Sequence, residues 1–70
     1  MIIDLHGLRY KEVEPMLEKH LLVRYNRDGW QIITGNSPPM KSIVIEFLEE
    51  HEFGWYIPLH NSGIIIVSDI

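Results

Sequence analysis

Residues 30–48, WQIITGNSPPMKSIVIEFL, decide the fold, because two periods and the turn between them sit side by side. Trp30 to Thr34 is aromatic and β-branched and stops at Gly35, which reads as a strand. Ser37 supplies an N-cap hydroxyl, and Pro38 takes the first helical position, where a missing N–H costs nothing. Met40, Ile43, Val44, Phe47 and Leu48 then fall at i, i+3, i+4, i+7 and i+8, the apolar stripe of a helix. Strand, tight polar loop and capped helix follow one another within nineteen residues.

Upstream the pattern repeats. Met1 to His6 is short and β-prone and ends at Gly7. From Tyr10 to about Asn26, Val13, Met16, Leu17, His20 and Leu21 recur at helical spacing, with Asp28-Gly29 as the stop. Pro15 interrupts this segment, so either the regular helix begins near Glu14 or its first turn is bent. Downstream, Trp55 to Leu59 and Ile64 to Ser68 are strand-like and flank the turn residues His60-Asn61-Ser62-Gly63, the composition of a hairpin. The order β-α-β-α-β-β predicts an α/β two-layer sandwich. Both helices cover one face of a four-stranded mixed sheet, and the other face stays open. Trp30, Trp55 and Tyr56 are expected on or beside that open face, a place for self-association as a homodimer.

Seventy residues make one domain, which buries only about 60% of the surface its unfolded chain exposes and is correspondingly marginal. The absence of cysteine excludes a disulfide framework, a zinc–thiolate site and a thiol nucleophile. The longest aliphatic run, Ile64 to Val67, is far short of the roughly 18 residues that span a bilayer, and no basic segment leads into an apolar one at the start. A cytoplasmic location without membrane insertion is expected. The net charge is −4, all of it carried by the second half. Up to Trp30, Arg9, Lys11, Lys19, Arg24 and Arg27 balance Asp4, Glu12, Glu14, Glu18 and Asp28. Contact with a phosphate backbone would therefore use the first half and backbone donors.

Chemistry is expected where parallel strands end and helices begin. Asp4 and His6 are two apart on a strand and share a side, while Gly7 frees the backbone to turn. A carboxylate beside an imidazole can fix its tautomer for acid–base work. Thr34, Gly35, Asn36 and Ser37 lead into a helix N-terminus, whose N–H groups and dipole attract an anion such as phosphate. Arg9 and Lys11 lie nearest as phosphate contacts. The same residues have a plainer reading, in which Asp4 and His6 fix a turn and Thr34 to Ser37 cap a helix.

The run Ile3-Asp4-Leu5-His6-Gly7-Leu8-Arg9 resembles the opening motif of the Smr (small MutS-related) domain family, and Ile32-Ile33-Thr34-Gly35 before a helix resembles its second motif. The resemblance covers essentially the whole chain. It implies a fold like the C-terminal domain of translation initiation factor three, nucleic-acid binding and, in many members, endonuclease activity on DNA or RNA, some of it at ribosomes. By the family's pattern, Asp4 and His6 are the catalytic pair, and Gly7, Arg9, Lys11, Thr34, Gly35, Asn36 and Ser37 meet the substrate phosphate. Ser37 replaces the second glycine of the family's second motif and two prolines follow it, so backbone approach to a substrate is more hindered. This departure, with the net charge of −4, supports an alternative: a non-catalytic module binding a protein or ribosomal surface.

No cofactor and no required metal are expected, because one histidine and one carboxylate suffice for acid–base work. His60 could reach toward the Thr34 loop or remain a solvated turn residue; His20 belongs to a packed stripe and His51 to a helix end. Glu46, Glu49, Glu50 and Glu52 form a solvated helix face.

Overall fold

The computed structural model describes residues 2–22 and 30–68. Met1, Arg24, Arg27, the expected helix end near Asn26 and its stop at Asp28-Gly29 lie outside the described residues. The elements are β1 (Ile2–Asp4), α1 (Tyr10–Leu17), β2 (Trp30–Ile33), α2 (Pro38–Glu50), β3 (Gly54–Tyr56) and β4 (Ile64–Ser68). They form the expected sandwich, with the sheet ordered β1-β2-β4-β3. β1 runs parallel to β2, pairing Ile3 with Ile32, while β4 runs antiparallel to both β2 and β3.

Alternation along the strands divides the sheet into two faces. Ile3, Trp30, Ile32, Ile65 and Val67 are buried, in one cluster with Val13, Leu17 and Leu21 from the first helical segment and Met40, Val44, Phe47 and Leu48 from α2. Trp30 thus belongs to the helix-side core, only 3% exposed, and not to the open face. Its position opposite Val67 decides this, because directly paired residues share a face. Trp55 follows the same rule and packs half-buried against the core. On the other face Ile2, Gln31, Ile66 and Tyr56 form one row across all four strands. Ile2 and Tyr56 are each more than half exposed.

Boundaries differ from the sequence reading in three elements. The first helix starts at Tyr10 and places Pro15 inside it. Proline has no N–H for the Lys11 carbonyl, an interior position that costs about 3 kcal/mol. Regular helix ends at Leu17, and Glu18–Leu22 continue as a π-helical turn. There the His20 Nδ1–H donates to the Met16 carbonyl at 2.9 Å and the ring meets Trp30 edge-on. β3 is shorter than expected, because Pro58 cannot donate to a ladder and Ile57 leaves the strand before it. β1 stops at Asp4, two residues short of His6, where the side chain of Asp4 turns the chain. The reading of α2 holds: Ser37 is its N-cap, its Oγ accepting the Met40 N–H at 3.3 Å.

Candidate functional site

Two strand-to-helix crossings meet at one end of the sheet. At the first, the Leu5 N–H continues the ladder to the Ile33 carbonyl (2.9 Å) and the Leu8 N–H returns to the Leu5 carbonyl (3.0 Å). Gly7 is third in this four-residue turn and has φ +90°, the sign a type II turn requires there. The Asp4 Oδ1 accepts the His6 backbone N–H at 3.0 Å. Its carboxylate therefore shapes the turn, and the imidazole forms no hydrogen bond to it. Glu12 closes the next step, its Oε1 accepting the Arg9 N–H at 2.9 Å at the start of α1.

At the second crossing, Thr34 is 2% exposed and is held from a distant part of the chain. The Gly63 carbonyl, in the β3–β4 connection, accepts the backbone N–H groups of Thr34 (2.9 Å) and Gly35 (3.0 Å). The Thr34 hydroxyl lies 3.2 Å from the same carbonyl and 3.0 Å from that of Gly35. Ser62 Oγ donates to Asn36 Oδ1 at 3.3 Å. Gly35 has φ +67°, and a Cβ there would stand 3.3 Å from the His6 ring carbon Cδ2. Glycine at this point lets the imidazole lie against the loop.

Between the crossings is an open cleft of about 400 Å³, lined by His6, Gly7, Leu8, Tyr10, Thr34, Gly35, Asn36, Ser37 and Met40. Six residues singled out from the sequence are thus brought together: His6, Gly7, Thr34, Gly35, Asn36 and Ser37. Asp4, Arg9 and Lys11 do not line it. Arg9 is the exposed N-cap residue just before α1, and Lys11 lines a separate shallow groove with Glu12, Pro15, Met16 and Lys19. Among the described residues, the lining holds no lysine, arginine, aspartate or glutamate, and His6 is its one imidazole.

The donor supply for an anion differs from that of an ordinary helix N-terminus. Pro38 and Pro39 have no N–H, Met40 donates to Ser37 Oγ and Lys41 to the Ser37 carbonyl at 3.0 Å. With Thr34 and Gly35 engaged by Gly63, the loop's remaining backbone donors are Asn36 and Ser37. Hydroxyls add to them: Tyr10 Oη lies 3.4 Å from Ser37 Oγ.

Tyr10 and Gly63 are the members that sequence reasoning missed. Tyr10 is the first residue of α1, just past the glycine turn, a position that could have drawn notice. Gly63 acts through a backbone carbonyl, for which no residue type is a signal. His60, the turn residue weighed for reach toward the Thr34 loop, is exposed, and the contact is made three positions later. Among the described residues, no group of three histidine or carboxylate side chains lies close enough to hold a metal ion. No described helix is long and apolar enough to cross a membrane. Comparisons with protein-family models, with curated proteins and with solved structures find no match.

Proposed function

We propose that this chain is an Smr-like nucleic-acid-binding domain that takes a phosphodiester in the cleft between the two crossings, with His6 as the group that moves a proton in its cleavage. The observation that carries this reading is the convergence of the Asp4–Arg9 turn and the Thr34–Ser37 loop on one open cleft, with the His6 imidazole against Gly35 and, among the described residues, without a hydrogen-bond partner. An exposed imidazole beside hydroxyl and N–H donors is placed for general acid–base work on a bound phosphodiester. With RNA, His6 would take the 2′-hydroxyl proton as that oxygen attacks phosphorus. The bond to the 5′-oxygen breaks, and that oxygen takes a proton from water. The products are a 2′,3′-cyclic phosphate and a 5′-hydroxyl end. Asp4 acts indirectly, holding the His6 backbone and so setting where the ring begins.

A second reading, a non-catalytic module for a protein or ribosomal surface, is favoured by the donor count at α2: two prolines and two engaged N–H groups leave little backbone to grip a phosphate. Incubation of labelled single-stranded RNA and duplex DNA in EDTA, with His6→Ala purified in parallel, separates the two. Cleavage by the wild type alone is the expected result. Equal cleavage by the variant would remove His6 from the chemistry, and binding without cleavage that ignores added salt would favour the module.

A further inference from the structure

We propose that Tyr10 makes the cleft a reader of single-stranded nucleic acid, stacking one unpaired base on its ring and offering the adjoining phosphate a hydroxyl proton from the Tyr10–Ser37 pair. The inference rests on the nucleic-acid reading above and deepens it to a substrate class.

The ring is the first observation. Tyr10 opens α1 at the mouth of the cleft and is 52% exposed, although a core that includes Leu5 and Val13 lies directly beneath this segment. Aromatic faces left open beside a polar cleft are the platforms on which unpaired bases stack. Bases inside a duplex are already stacked and present no face to such a ring. The second observation is a count of protons. Ser37 Oγ accepts the Met40 N–H, and Tyr10 Oη lies within hydrogen-bond distance of the same oxygen. Two hydroxyls share two protons, and only one of these can bridge the oxygens. Whichever hydroxyl donates across the bridge, the other O–H stays outside it, on a residue that lines the cleft.

That donor stands where the prolines at the start of α2 removed two backbone ones, and the positive end of the α2 dipole remains behind it. The third observation is size. A cleft of about 400 Å³ lies near the lower end of the range for small-ligand sites, room for one nucleotide and not for a helix. With so few phosphate contacts, the salt dependence of binding should be shallow, about −0.7 in log–log slope for each phosphate met.

The test is fluorescence anisotropy with a labelled single-stranded RNA and its duplex, using wild type, Tyr10→Leu and Tyr10→Phe, with circular dichroism to confirm folding. The wild type should bind the single strand more tightly than the duplex. Tyr10→Leu should weaken single-strand binding at least about fivefold, the lower end of what loss of one stacked base produces. Tyr10→Phe keeps the ring and should lose less, which keeps the test decisive even if the leucine variant does not fold. Single-strand binding that survives in both variants would overturn the role of Tyr10 while leaving the nucleic-acid reading intact. A wild type that prefers the duplex would overturn the inference alone, and a wild type that binds neither would overturn both.

Discussion

The two crossings that form the cleft turn the chain by different means. The Asp4–Arg9 turn is closed by its own neighbours: Asp4 on the His6 N–H, Leu5 on Leu8, Glu12 on Arg9. The Thr34–Ser37 loop is fixed largely from outside, by a carbonyl at Gly63 that takes two N–H groups and faces a buried hydroxyl. Beyond the Leu5–Ile33 ladder bond the first turn rests on contacts between near neighbours, whereas the second loop is tied to the β3–β4 connection. The cleft thus has one wall held across the chain and one closed mostly by its own neighbours, and His6 stands on the second.

The contrast can be broken most strongly at the two glycines. Gly35→Ala places an L-residue at φ +67°, a cost of about 1–2 kcal/mol, and puts its Cβ 3.3 Å from His6 Cδ2. Chemical denaturation should show a loss near the top of that range, and the His6 ring resonances should move. Gly7→Ala at φ +90° carries a comparable backbone penalty with nothing within 4 Å of the new Cβ. It should cost less and leave the His6 ring environment nearer that of the wild type. Equal losses with equal ring shifts would mean that the two walls do not differ.

Thr34→Val keeps the shape of a buried side chain and deletes its hydroxyl, so stability should fall by about 1 kcal/mol. Amide hydrogen exchange at Thr34 and Gly35 should speed up without change at Leu8. The smallest effect is expected at Asp4→Asn, whose amide oxygen can still accept the His6 N–H. Thermal unfolding should barely change, while Asp4→Ala, with no acceptor, should lower the midpoint measurably.

The same division explains how much could be read beforehand. The cap and stripe of α2 were legible because Ser37, Pro38 and the apolar residues act within a few positions of one another. So was the meeting of the DLHGL turn with the TGN loop, which follows from parallel pairing of β1 with β2. The anchor at Gly63 was not, since a backbone carbonyl carries no sequence signature and its partners are almost thirty positions away. The side of the sheet that Trp30 takes is set by pairing with Val67, a register that periodicity in one strand cannot supply. Spacing pairs Asp4 with the His6 imidazole, whereas its carboxylate takes the nearer His6 backbone N–H. Read along the chain, Tyr10 is only where a helix begins; its place at the cleft follows from α1 lying beside α2.

The central claim is that nucleic acid enters the cleft between these walls. Titration of the ¹⁵N-labelled protein with a short single-stranded RNA, followed by amide and His6 ring shifts, tests it most directly. The account predicts saturable changes centred on His6, Tyr10, Gly35, Asn36 and Ser37, with little response at the Ile2–Gln31–Ile66–Tyr56 row of the open sheet face. Changes confined to that row or to the Lys11–Lys19 groove, or no change at all, would contradict it.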